Sequence, residues 1–348
     1  IAQNPLRRNF GESLGVFARY DLKSPTPEQG LFDGTNDIRG QVKLEHLLKL
    51  LAPPQWPENV LGRLDQKKVK QGHKLFVENC QECHTSYPYR WSPERAPGKR
   101  FIENALVPQE IVGTDGTQLK EVSFSPDAVI STGTLAPYFG GKQKVSSGEF
   151  NAVIQSKLLY KAVDRAGPFS KEEFADMNGY TSYLNDPPAK TAIASYKAGP
   201  RDGVWATGPF LHNGSVPNIY ELLTPAAERR KTFYVTREFD PVKLGINTAV
   251  GGSQDYLYDT ALTGNSNVGH SFEKGYNKVK KDGVIGRELS VDERYAIIEY
   301  LKSIPNQAGQ ATPYGGPKKP LIANDDKTWF NYKHPFNGQT KGDYVRSY

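Results

Sequence analysis

The chain has 348 residues, 37% hydrophobic and 24% charged, with a formal charge of +6, a globular composition sized for one large domain or two modest ones. No run approaches the ~18 consecutive apolar residues that a membrane helix needs, which excludes a transmembrane segment. Basic residues occur in scattered pieces such as Lys67, Lys68 and Lys70 rather than in a recognisable module, which excludes nucleic acid as a partner.

The polar start behind Ile1 reads as that of a mature or truncated product. Residues 1–57 form a helix-containing lead-in, with His46 inside the leucine-rich run Leu44 to Leu51, and the dense prolines of Pro53-Pro54-Gln55-Trp56-Pro57 mark a connector. Next comes Lys70-Gln71-Gly72-His73-Lys74-Leu75-Phe76-Val77-Glu78-Asn79, in which Leu75 and Phe76 share a helical face with Cys80. Gly72 costs helix propensity, and close packing against another helix would explain its presence.

The chain has two cysteines, and both fall in Cys80-Gln81-Glu82-Cys83-His84. C-x-x-C-H is the attachment signature of c-type haem. Each thiol adds to one vinyl group of the porphyrin, and a two-residue spacer on a helical turn sets the two sulfurs at the required separation. The residue that follows then lies beneath the ring, where its imidazole ligates iron. A thioredoxin-type redox pair would want a βαβ pattern around it, and a zinc site would want a second pair of soft ligands. Neither is present, so the reading is one covalent haem c per chain, held by Cys80, Cys83 and His84.

Further along, Met177, the single methionine, lies on one face with Phe174 in Lys171 to Met177 and reads as core filler. A short β-hairpin is expected near Phe233 to Phe239. Ser290-Val291-Asp292-Glu293 has the form of a capping box opening a helix from Arg294 to Ser303, with Tyr295, Ile297, Ile298 and Leu301 on its apolar face and Pro305 as its stop. Two helices, one bearing the motif and one closing the domain, give the expected fold class: mainly α, an expanded cytochrome c-like haem domain over 58–306, with long loops and few short strands. Residues 307–348 turn to Gly, Pro, Lys and Asn and read as an extended C-terminal tail that wraps the surface or reaches a partner.

A second axial ligand would be Met or His. His46 and His73 read as helix-surface residues, and His334 belongs to the polar tail. His212 and His270 each lie in glycine-containing, turn-rich segments where an imidazole can turn toward a haem face. Composition does not separate these two.

Several segments together resemble the bacterial di-haem cytochrome c peroxidase superfamily, in particular its RoxA-like (rubber oxygenase-like) branch. They are Asn9-Phe10-Gly11-Glu12, the C-x-x-C-H helix, Ile111 to Asp115, Tyr196 to Pro200, Gly203 to Ser215 and Asp259 to His270, in that order. The resemblance implies that the histidine before the closing helix, His270, is the distal ligand to the iron held by His84. It implies that His212 lies near the haem without ligating it, ranking second to His270. Trp205 and Tyr196 become candidates for electron relay or for packing beside the porphyrin. Members of the superfamily carry two C-x-x-C-H motifs and this chain has one, so residues 1–57 resemble the end of an N-terminal domain, and a second haem would come from outside this chain.

The functional expectation is a periplasmic or extracellular electron-transfer cytochrome with bis-His ligation and a redox partner protein; the alternative is a peroxidase or oxygenase that uses that second haem. A calcium ion is a further cofactor that the resemblance implies, with no ligands assignable.

Overall fold

The computed structural model describes residues 5–50, 53–85, 102, 104–122, 128–177 and 194–307. The expected tail with His334, and the side chain of His46, lie outside the described residues. The helices described are Pro5–Val16 (α1), Ile38–Leu50 (α2), Glu58–Leu61 (α3), Gln66–Asn79 (α4), Gln109–Val112 (α5), Thr117–Val122 (α6), Ser147–Ala166 (α7), Lys171–Met177 (α8), Ile219–Leu222 (α9) and Val291–Gln307 (α10). The strands are Ala105–Pro108 (β1), Val129–Ser131 (β2), Lys144–Ser146 (β3), Ser195–Ala198 (β4), Thr232–Val235 (β5), Phe239–Asp240 (β6), Gly245–Ile246 (β7), Tyr256–Asp259 (β8), Ser271–Glu273 (β9) and Val284–Arg287 (β10).

Among the described residues the strands pair only in twos: β1 with β4, β2 with β3, β5 with β8, β6 with β7, and β9 with β10 in parallel. Helix outweighs strand, yet the strands are more numerous than expected and irregular backbone is extensive, so "mainly α" describes the fold only loosely.

The frame is the pair α4 and α10. Asp65 caps α4 by accepting from the N–H groups of Lys67 and Lys68 at 2.9 and 3.1 Å. Ser290 and Glu293 form the expected capping box at the start of α10: the Glu293 carboxylate accepts from the Ser290 N–H at 2.9 Å, and Ser290 Oγ accepts from the Glu293 N–H at 3.3 Å. The two helices meet at Gly72, where a Cβ would lie 1.9 Å from the carbonyl oxygen of Ala296. Only glycine permits that approach, which explains the weak helix former in mid-helix.

Around this crossing Leu75, Phe76, Ile297, Ile298, Tyr300, Leu301 and Ile304 are all buried, together with Val216, Leu244 and Phe272 from the intervening chain. Each such side chain contributes about 1.5–3 kcal/mol by leaving water.

Three local expectations need correction. Helix α10 runs through Pro305 to Gln307 rather than stopping at Ser303, because its apolar face stays packed as far as Ile304, which is 2% exposed. The hairpin near Phe233 to Phe239 is not formed. Thr232–Val235 pairs with Tyr256–Asp259, while the local turn belongs to β6 and β7, where Asp240 accepts from the N–H groups of Val242 and Lys243. Phe174 faces solvent, 46% exposed, while Met177 is buried.

A second apolar cluster joins Leu6 and Phe10 of α1, Ile38 of α2, Ile154 and Leu158 of α7, and Met177. Met177 is therefore core filler, as its residue type suggested, and it belongs to this second cluster rather than to the one around α4 and α10.

Gly72→Ala is expected to destabilise the protein by about 1–3 kcal/mol through overpacking against α10, read as a lower urea midpoint with an unchanged slope. A hydrogen bond from Arg287 is the main reason the Glu293 carboxyl sits at about 2. A depressed carboxyl stabilises the fold above its unfolded value and loses that effect as pH falls. Stability should accordingly decline between about pH 4.5 and pH 2, and Glu293→Gln should flatten that part of the acid-denaturation curve.

Candidate functional site

Helix α4 ends at Asn79, and the motif continues as a tight turn. Cys80 N–H donates to the Phe76 carbonyl at 2.8 Å, Cys83 N–H to Cys80 at 3.1 Å and His84 N–H to Cys80 at 2.8 Å. Cys80 packs against the cluster around α4 and α10, and Cys83 against Val107, Val112 and Ala198. The two thiols thus sit at the join of two apolar walls, both partly exposed. Burial pushes the Cys80 thiol up to about 12, so it stands as a neutral thiol.

His84 Nδ1 lies 3.0 Å from the carbonyl oxygen of Gly199, just beyond β4. A carbonyl only accepts, so Nδ1 carries the proton and Nε2 keeps its lone pair. Arg201 Nε donates to the same carbonyl at 3.0 Å. Burial first, then the Arg201 charge, hold His84 well below the ordinary imidazole range.

Facing it is His270, its ring centre 6.2 Å from that of His84. His270 adopts φ 46°, a left-handed conformation unusual for a side-chain-bearing residue, directly after Gly269 at φ 73°. The strained turn is held by backbone contacts. His270 N–H donates to the Val112 carbonyl at 2.7 Å, and a Cβ on Gly269 would fall 2.2 Å from the carbonyl carbon of Gly113. Gly113 abuts Gly283 so closely that its own Cβ would lie 2.4 Å from the Gly283 Cα. Three glycines therefore let three chain segments meet and bring the His270 ring centre to 6.2 Å from that of His84. Burial pulls His270 down to about 4, assisted by the charge of Arg229. Both imidazoles are thus neutral at neutral pH, the form that ligates metals.

His212 and Trp205 sit elsewhere. His212 is exposed and stacks on Tyr196 at 4.2 Å between ring centres, with Nε2 3.1 Å from the tyrosine oxygen. Tyr196 in turn donates to the Asp115 carbonyl at 2.5 Å and packs in the same cluster as Cys83. Trp205 packs edge-on against Trp56, 5.3 Å between centres, and donates to the Pro54 carbonyl at 2.8 Å. It lies beside the cluster that holds Cys80. His73 is exposed on α4 against Tyr300, consistent with a helix-surface role.

The donor set fits a haem. Two imidazoles that shared one metal through bonds of about 2 Å would have ring centres roughly 6 Å apart. The observed separation is 6.2 Å. His270 Nδ1 is buried with no hydrogen-bond partner among the described residues, so this ring keeps unspent coordinating capacity. Among the described residues no group of three or more His, Cys, Asp or Glu could hold a further metal, so calcium gains no support.

Residues 195–235, the segment that carries Tyr196, Trp205, His212 and Arg229, match the family model described as RoxA-like, cytochrome c-like. The matched segment is thus similar to a cytochrome c-like domain, a class that binds haem. Within that class the match supports a likeness to the RoxA-like branch. The chain is 35% identical over 323 residues to the uncharacterized protein y4iJ of Sinorhizobium fredii, an alignment covering 86% of this chain and 51% of that protein. A second protein of the same organism, y4iM, is 33% identical over 125 residues, 32% of this chain and 28% of its own length. The chain thus spans about half the length of y4iJ.

Sequence reasoning missed Gly113, Gly199, Gly283 and Arg229, because each acts through backbone contacts that form only between distant segments. Since His212 is engaged with Tyr196 and exposed, His212→Ala should leave the Soret and α/β bands of the haem-loaded protein unchanged.

Proposed function

We propose that this chain is a periplasmic c-type cytochrome that carries electrons through one covalently bound haem ligated by His84 and His270. The observation that carries this reading is the pair of imidazoles whose ring centres lie 6.2 Å apart, one of them in the Cys80–His84 motif. Cys80 and Cys83 would hold such a haem through thioether links to its two vinyl groups. His84 is oriented by the Gly199 carbonyl, and this hydrogen bond also makes it the more electron-rich ligand. His270 would be the second ligand, and with it bound the metal would offer no open position to water or substrate. A haem held in this way supplies one-electron transfer. Covalent attachment at such a motif places maturation outside the cytoplasmic membrane, hence the periplasmic assignment, with a redox partner protein as source or sink of the electron. No helix among the described residues is long and apolar enough to cross a membrane.

A second reading is a haem-dependent peroxidase or oxygenase that works with a second haem outside this chain. The likeness of residues 195–235 to a RoxA-like domain motivates it. Sustained peroxide turnover by the purified, haem-loaded chain would support this reading over the first.

Ferric EPR with a haem count per chain tests the proposal. One haem and a single low-spin signal are expected, and His270→Ala should convert the signal to high-spin. A high-spin native signal, or an unchanged spectrum in His270→Ala, would sink the ligand assignment.

A further inference from the structure

Arg229 is 2% exposed and lies between the short helix α9 and the loop that delivers His270. Its guanidinium donates only to backbone carbonyls. Nε reaches Glu221 at 3.2 Å and one Nη2 bond reaches Leu222 at 3.1 Å, both at the end of α9. Nη1 reaches Asn267 at 2.7 Å and Gly269 at 2.9 Å, and the other Nη2 bond reaches His270 itself at 2.9 Å. All five N–H donors of the side chain are thereby used, two on α9 and three on the loop. Neighbouring Arg230 takes the Glu221 carboxylate at 2.6 Å, so Arg229 is left to the carbonyls.

A buried cation is kept only where its donors are satisfied. Here they are satisfied by the segment from Asn267 to His270, whose backbone is otherwise bent into a left-handed turn. Helix α9 is anchored in the main core by Ile219 and, just beyond its end, Leu223, 3% and 4% exposed. The guanidinium therefore connects the strained turn to the most rigid part of the molecule. The planar five-donor fork of arginine suits this task, while lysine carries the same charge with three donors on a flexible stem.

We propose that Arg229 is a positioning residue that fixes His270 as the distal ligand, through the shape of its hydrogen-bonding fork rather than through its charge. This inference rests on His270 being the ligand. When the fork is lost, the turn relaxes, His270 withdraws for part of the time, and small neutral ligands such as carbon monoxide gain access to that face.

The test uses the haem-loaded chain with Arg229→Lys, which keeps the charge, and Arg229→Gln, which removes it but still donates two N–H groups. Arg230→Lys serves as a control, since the Arg230 side chain pairs with Glu221 and its bond to the loop, from Asn267 to the Arg230 carbonyl at 2.9 Å, is kept. Carbon monoxide binding to the ferrous protein should be at least tenfold faster in both Arg229 variants, and their ferric EPR should gain a high-spin component that added imidazole returns to low-spin. The Arg230 control should behave as native.

Native ligand binding and EPR in both Arg229 variants, alongside a high-spin His270→Ala, would overturn the positioning role while leaving the ligand assignment intact. A native Arg229→Lys with an altered Arg229→Gln would overturn it too, since charge alone would then be responsible. An unchanged spectrum in His270→Ala would remove both proposals. Arg229→Lys, which keeps the charge, is the deciding variant, and it decides alone by the same rates if Arg229→Gln fails to fold or load haem.

Discussion

The contact of Gly72 with the carbonyl of Ala296 is the point on which the rest of the structure depends. It lets two helices more than 200 residues apart in the chain approach until backbone touches backbone. Phe76 and Leu75 then pack under Tyr300, Ile297 and Leu301, and the end of α4 is fixed in direction. The Cys80–His84 turn leaves from that end, so the positions of both thiols and of the His84 ring follow from the crossing. A larger residue at position 72 would displace the helix and the site together.

His270 is placed on a different principle. No long helix delivers His270; a left-handed turn does, held where Gly113, Gly269 and Gly283 meet and where Arg229 gathers carbonyl groups. Rigidity there comes from saturated backbone hydrogen bonding rather than from an apolar stripe. The two histidines also differ in support, His84 being bonded to Gly199 while His270 Nδ1 has no partner among the described residues.

What could be read in the sequence was what is local. The attachment motif, the capping box at Ser290 and Glu293, and the apolar faces of α4 and α10 lie within single turns of helix, where spacing and residue type determine geometry. Gly72 was legible because a glycine inside a good helix demands a reason. His270 was distinguished from His212 by resemblance alone, since both lie in similar loops. Strand pairing was misjudged because Phe233 pairs with Tyr258, across the intervening β6–β7 turn that holds the nearer partner. Arg229 was invisible because an arginine beside another arginine and a lysine, in Arg229-Arg230-Lys231, reads as surface until its carbonyl acceptors arrive from two separate segments.

Local and distant determinants of the site also impose an order of events. The turn from Cys80 to His84 needs only its own helix, and contacts close in sequence form early. His270 lies more than half the chain away and reaches its place only after residues 111–113, 267–270 and 283 have come together. The thiols and the first imidazole therefore stand on an open surface before the second imidazole comes to lie 6.2 Å from it, ring centre to ring centre.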